Sequence, residues 1–149
     1  MARQDNETPN GSAPMSDPRP LPSPDPETAP YWAAAREHKL CMQRCARCQR
    51  FTFPPKPICP DCGEPTLEWT RLSGRGKVHT FTVMRDTFIG GFTPPYTLVE
   101  VELDEQPGLM LLTNLLDCPP EQVRIGMPVE VTFEQRSADI TVPQFRPTK

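Results

Sequence analysis

Cys45, Cys48, Cys59 and Cys62 lie in the stretch CARCQRFTFPPKPICPDC, two Cys-x-x-Cys pairs separated by ten residues. Cysteines so spaced hold a metal or cycle between dithiol and disulfide. Each Cys-x-x-Cys turn brings two sulfurs to one ion at about 2.3 Å, so two turns fill a tetrahedral shell. Four thiolates leave no open position for water or substrate. The expected ion is therefore one structural zinc, whose binding energy becomes folding energy. An iron centre of rubredoxin type would use the same four ligands and stays open. A thioredoxin-like role needs a single dithiol in a strand-to-helix context, and none precedes these pairs. Gly63 follows the last cysteine and suits a tight turn that aims backbone N–H groups at sulfur. Cys41 and Cys118 stand outside the pattern. They read as packed, reduced thiols, with a ligand swap by Cys41 or a nucleophilic Cys118 as the alternatives.

The elements that must hold this knuckle can be read from texture. Eight of the 21 prolines fall in the first thirty residues, in a segment with few apolar side chains. Such a segment cannot bury enough surface to offset chain entropy, so residues 1–29 are expected to be disordered or an extended arm. Met15 is a possible alternative start. Order is expected from Tyr31. The stretch PYWAAAREHKL reads as a short helix with Pro30 at its start and Trp32, Ala35 and Lys39–Leu40 on one face. The helix and knuckle together make a unit over residues 30–68. From Trp69 onward the pattern turns to alternation, the mark of strands. GKVHTFTVMRD sets Val78, Thr80 and Thr82 against His79, Phe81 and Val83. YTLVEVELDE sets Val99, Val101 and Leu103 against Glu100, Glu102 and Asp104, a half-buried strand with an acidic face. GLMLLTNLL reads as a more fully buried strand. A turn or helical piece follows, then a strand with Val129, Val131 and Phe133 inward, and a last strand over ITVPQF. The expected fold is mainly β: an N-terminal helix, a zinc ribbon, and a small closed OB-type barrel over residues 69–149.

Totals narrow the function classes. The net charge is −3 and mean hydropathy is −0.53, with no apolar run near the ~18 residues of a membrane span. The N-terminus lacks a secretory pattern, so a cytoplasmic protein with reduced thiols is expected. Charge divides along the chain. Arg36, Lys39, Arg44, Arg47, Arg50 and Lys56 meet only Glu37, whereas the barrel strands carry Glu100, Glu102, Asp104, Glu105, Glu130 and Glu134. A single-stranded nucleic-acid-binding OB protein is the main rival reading. It needs a basic groove with exposed aromatics, and an acidic barrel works against it. No catalytic set stands out. His38 reads as a helix surface residue, His79 as barrel wall, and Glu100 with Glu102 as a solvated face with nothing apolar to raise a pKa.

The order of YWAAAREHKLCMQRCARCQRFTFPPKPICPDCGEPTLEW, SGRGKVHTFTV, PPYTLVEVELDE, IGMPVEVTFE and PQFRP resembles the zinc-ribbon plus OB-fold proteins of acyl-CoA metabolism, long catalogued as a domain of unknown function. The resemblance spans residues 29–147. It implies a non-catalytic accessory subunit that stabilises a thiolase-fold enzyme performing thiolysis or retro-aldol cleavage of an acyl-CoA, as in steroid side-chain or aromatic acyl-CoA degradation. It further implies that the subunit helps shape the CoA and acyl site. In some members it implies a scaffold linking a hot-dog-fold enoyl-CoA hydratase to a thiolase or aldolase. Thiolase dimers suggest a heterotetramer. On this reading Arg44, Arg47, Arg50 and Lys56 are candidate contacts for CoA phosphate or for an acidic partner, because guanidinium forks match phosphate oxygens. The loop DTFIGGFTPPY places Phe88, Ile89 and Phe92 around two glycines. These side chains either plug one barrel end or insert into a partner.

Overall fold

A proline in its first turn starts the helix α1 (Ala29–Arg36), where a missing N–H costs nothing. Before it, Asp25 and Thr28 close a reciprocal turn, with Thr28 N–H donating to Asp25 Oδ1 at 2.8 Å and Asp25 N–H to Thr28 Oγ1 at 3.0 Å. The computed structural model describes residues 18–149. The expectations for the first seventeen residues of the arm, Met15 included, lie outside the described residues. The helix ends earlier than the sequence pattern through Leu40 implied. His38 adopts φ 57°, its N–H meets Ala35 O at 2.9 Å, and Lys39 N–H meets Ala34 O at 3.0 Å. This is a left-handed Schellman ending made by histidine in place of glycine. His38 is thus a helix stop rather than a helix-face residue, and its ring stacks on Phe133 with centroids 5.2 Å apart.

After the turn the chain enters β1 (Cys41–Cys45), which pairs antiparallel with β2 (Phe51–Thr52) on one side and β3 (Leu67–Arg71) on the other. These three strands form the ribbon sheet. The remaining strands are β4 (Arg75–Met84), β5 (Tyr96–Leu103), β6 (Met110–Leu115), β7 (Pro128–Gln135) and β8 (Thr141–Pro147). They close into a barrel in the order β4-β5-β6-β8-β7. The OB-type barrel expected from the alternating segments is therefore present. A short 3-10 turn at Pro120–Gln122 precedes β7.

Two local readings change. In β4 the register shifts between Val78 and Thr80. The bulge adds a residue, so Gly76 and Val78 point inward before it and Phe81 and Val83 turn toward the interior after it. Uninterrupted alternation across that strand does not hold. In β6 only Leu111 and Leu115 are buried, while Leu112 is 69% exposed. A run of leucines hides that alternation, because inward and outward positions carry the same residue type. β5 keeps the expected pattern, with Thr97, Val99, Val101 and Leu103 inside.

The two halves share one core. Tyr31, Leu40 and Met42 belong to the same apolar cluster as Val99, Leu111 and Phe145. The side chain of Gln106 clamps the ribbon to the barrel, its Oε1 accepting from Phe51 N–H at 2.8 Å and its Nε2 donating to Phe51 O at 3.2 Å. The close approach of β4 to β5 requires glycine at 76. A methyl there would lie well inside 3.0 Å of Glu102 O and the Val101 side chain. Backbone cannot yield as a side-chain tip does, so Gly76→Ala is expected to destabilise the barrel by about 2–4 kcal/mol. Thermal melting checks this, and a variant melting within ~2 °C of the parent would contradict it.

Candidate metal centre and docking faces

Each Cys-x-x-Cys pair sits at the tip of a tight turn, and the two turns repeat the same hydrogen bonds. Gln49 N–H donates to Cys45 O and Gly63 N–H to Cys59 O, both at 2.9 Å. Cys45 N–H reaches Arg50 O, and Cys59 N–H reaches Glu64 O, again both at 2.9 Å. Each knuckle needs a left-handed residue. Gly63 takes φ 73° and Gln49 takes φ 64°. Gln49 tolerates this with help from its own side chain, whose Nε2 donates to Ala46 O at 2.7 Å.

The two knuckles bring four sulfurs within 4.8 Å of one another. Cys45 Sγ lies 3.7 Å from Cys62 Sγ, and Cys48 Sγ lies 3.6 Å from Cys59 Sγ. A tetrahedral zinc with bonds of about 2.3 Å requires sulfur–sulfur edges of about 3.8 Å. The donor set and spacing thus fit one structural zinc. The Cys48 N–H, 3.5 Å from Cys45 Sγ, is the main reason the Cys45 thiol is lowered to about 7. Glu64 N–H favours the Cys62 thiolate, but burial and the other three sulfurs outweigh it and push Cys62 up to about 12. Cys48 is also raised: the Arg50 N–H favours its thiolate, but burial and the Cys59 and Cys45 sulfurs outweigh that. Crowded thiolates without a cation therefore hold protons that zinc must displace. Cys41 and Cys118 stay apart from this cluster, and burial pushes both thiols up.

The basic residues surround the knuckles but are not unopposed. Arg50 Nε lies 3.2 Å from Asp61, and Arg47 lies 3.9 Å from Glu64. Both acids come from the second knuckle, beyond the segment in which the sequence charge looked one-sided. Arg44 donates to Gln49 O at 2.9 Å and lies over the Phe51 ring at 5.2 Å. Lys56 is exposed, and its backbone N–H donates to Gln43 Oε1 at 2.8 Å. Two of the four cations, Arg47 and Arg50, therefore bridge the knuckles, and Arg44 packs beside the first.

The loop after β4 separates its three apolar residues. Phe92 stacks on Tyr96 with centroids 5.1 Å apart, under the Arg19 guanidinium at 5.9 Å. Phe88 is 79% exposed and Ile89 is 53% exposed, so neither plugs the barrel. His79 is exposed on β4, and Glu102 accepts from Gly108 N–H at 3.0 Å, as part of a turn.

A further feature escaped the sequence reading. The end of the arm crosses the barrel wall at Arg19, which is 2.5 Å from Glu134 of β7, and Arg136 donates to Arg19 O at 3.2 Å. Beneath it lies a cleft of about 460 Å³ lined by Pro20, Pro22, Trp32, Phe53, Leu98 and Leu112 among others. These residues come from five separate stretches of chain, and no local spacing links them. Tyr31 also faces this cleft, and burial holds its hydroxyl far above the usual phenol range, so it stays neutral. Among the described residues no helix is long and apolar enough to cross a membrane.

Comparison with known proteins places these features in a family. Residues 32–68 match the family described as "ChsH2, rubredoxin-like zinc ribbon domain", and residues 69–134 match "ChsH2, C-terminal OB-fold domain". A DUF35 domain-containing scaffold protein of Pyrococcus furiosus is 39% identical over 112 residues, covering 73% of this chain and 80% of that one. A probable enoyl-CoA hydratase alpha subunit of Thermomonospora curvata is 36% identical over 129 residues. That alignment covers 87% of this chain, which spans 40% of the longer protein's length. Among solved structures, a chain of the Ltp2-ChsH2(DUF35) aldolase superposes with a TM-score of 0.78 at 35% identity, covering 85% of this chain and 98% of that one.

Proposed function

This chain belongs to the ChsH2 (DUF35) family of paired zinc-ribbon and OB-fold domains, and on that premise we propose that it is the non-catalytic accessory subunit of an acyl-CoA enzyme. The partner is a thiolase-fold subunit that cleaves a carbon–carbon bond beside a thioester, by thiolysis or by a retro-aldol step, in a cytoplasmic heterotetramer. The observation that carries the reading is a ribbon with four clustered cysteine sulfurs, joined through one core to a barrel, with two large apolar side chains, Phe88 and Ile89, held out in solvent. A chain that folds around one core has no internal need for them. The relatives support the class of partner, since one is named as a scaffold protein, another as a hydratase alpha subunit, and the matched structure is an aldolase.

The chain's own residues supply position, not chemistry. Arg47 and Arg50 bridge the knuckles and Arg44 packs beside the first, and with Lys56 they are the residues that a CoA phosphate or an acidic partner face would meet. The pairs with Asp61 and Glu64 are exposed, and such pairs contribute at most about 1 kcal/mol, so a phosphate can displace them. Reversing Arg47 and Arg50 to Glu is expected to weaken acyl-CoA binding by the assembled complex about tenfold or more. Isothermal titration of the complex measures this; unchanged affinity would remove CoA from the patch and leave only partner contact. The reading as a whole is tested by co-expressing the chain with thiolase-like subunits and measuring co-purification and activity. A chain that remains monomeric beside every such subunit, and leaves their activity unaltered, would refute it.

A further inference from the structure

Tyr31 lies in the first turn of α1 and is 7% exposed. Its ring meets Trp32 edge-on with centroids 5.0 Å apart and Phe53 at 5.4 Å. A tyrosine buried this far ordinarily gives its O–H to a partner. Tyr31 has none among the described residues: burial alone acts on its hydroxyl, and no hydrogen bond contributes. Four side-chain oxygens of the described residues are fully enclosed without a partner, namely Thr52 Oγ1, Glu105 Oε2, Asn114 Oδ1 and Gln144 Oε1. No ligand reaches those. Tyr31 Oη is not one of them and so keeps some accessible surface. The opening beside it is the apolar cleft under the arm, which Tyr31 lines.

The cleft holds about 460 Å³, with Trp32, Phe53, Leu98 and Leu112 on its walls and Pro20 and Pro22 of the arm at its edge. That size is within the usual range for small-molecule sites, which pair apolar walls with a few placed polar groups. Arg136 is the one charged side chain on the lining, and it already donates to Arg19 O at 3.2 Å. A carboxylate would give up its water for that single engaged cation. A neutral carbonyl is far less costly to dehydrate and accepts what a phenol offers. Burial holds the Tyr31 hydroxyl far above the usual phenol range, so it keeps its proton and acts as a donor across the neutral pH range.

We propose that this cleft is a binding site for a neutral apolar molecule bearing a carbonyl, its body against Trp32, Phe53 and the leucines and its oxygen accepting from the Tyr31 hydroxyl. The site requires no second protein, so it stands or falls separately from the subunit reading. The test titrates the zinc-loaded full chain with 1-indanone, indane and indane-2-carboxylate. The indole N–H resonance of Trp32 reports occupancy, and that of Trp69, which is not on the lining, serves as the internal control. The carbonyl stretch of bound indanone reports the hydrogen bond and should move to lower frequency. Tyr31→Phe removes the hydroxyl and nothing else. It is expected to weaken indanone about three- to tenfold, the worth of one net hydrogen bond, to abolish the carbonyl shift, and to leave indane within about twofold. Because the hydroxyl has no partner within the chain, the variant should melt no lower than the parent. A variant that melts markedly lower would show the hydroxyl bonded inside the protein and overturn the proposal. So would the absence of a saturable Trp32 shift, tighter binding of the carboxylate than of the ketone, or a Tyr31→Phe effect that is nil or equal for indanone and indane.

Discussion

Cys59→Ser is expected to eliminate bound zinc and collapse the ribbon, with metal content falling from one ion per chain to none. Cys59 is buried and closes the tetrahedron with Cys45, Cys48 and Cys62. Structural zinc in small domains contributes an apparent ~10–16 kcal/mol, far more than the stability of a unit this size. The ribbon has little else of its own. Its strand β2 has two residues, and its apolar side chains, Met42 and Leu40, point into the core shared with the barrel. Losing the ion should therefore loosen the barrel as well, lowering the melting temperature of the whole chain rather than removing a separate early transition. Cys118→Ser is the control, expected to keep the zinc and to shift stability by no more than about 1 kcal/mol. pH acts through the same site. Cys48 and Cys62 are raised above the ordinary thiol range in the metal-free cluster. Both hold protons at neutral pH, and zinc must displace them. Each displaced proton weakens binding tenfold per unit fall in pH, so these two alone make the apparent affinity drop at least a hundredfold per unit near neutrality. A chromophoric chelator titration at two pH values measures that slope. A Cys59→Ser protein that kept one zinc and an unchanged melting curve would refute a four-thiolate structural site.

The metal centre was legible because its signal is local. Cysteine spacing dictates ligand geometry with little help from the rest of the fold. The same holds for β5, where Val99, Val101 and Leu103 alternate with acids and land inside as expected. Legibility failed where a neighbour in space decided the outcome. The bulge at Val78–Thr80 depends on fitting β4 against β5 and β7, and nothing in GKVHTFTV announces it. The leucines of β6 conceal which side faces water, since Leu111 and Leu112 are chemically alike and oppositely placed. The ribbon's basic patch looked unopposed because Asp61 and Glu64 lie beyond it in sequence and fold back across the knuckles. The arm was read as lacking apolar content, which is correct for its composition. Yet its end lies on the barrel through contacts from far along the chain: Glu134, 115 residues away, meets the Arg19 side chain, and Arg136 meets its carbonyl. Long-range contacts of this kind leave no periodicity to detect.

Replacing Phe88 and Ile89 together with aspartate should dissociate the chain from a thiolase-like partner without changing its own stability. The two side chains stand in solvent at the tip of the β4–β5 connection, with no place in the apolar core. Their loss therefore removes nothing from the folded chain, and the melting temperature should move by less than about 2 °C. In a complex the same side chains would be buried. Burying a Phe or Ile contributes about 1.5–3 kcal/mol each, and the introduced carboxylates would have to be desolvated in addition. Even at the lower bound the pair accounts for about 3 kcal/mol, a hundredfold or more in Kd. Phe92→Ala provides the contrast, because Phe92 stacks on Tyr96 beneath Arg19 and serves the loop's own shape. That change should lower melting first and weaken association only through the displaced loop. Size-exclusion chromatography and surface plasmon resonance with a thiolase-fold subunit separate these effects. If the double variant instead melts markedly lower while association is untouched, Phe88 and Ile89 pack within their own barrel in solution, and the docking face must lie on the ribbon end that carries Arg47 and Arg50.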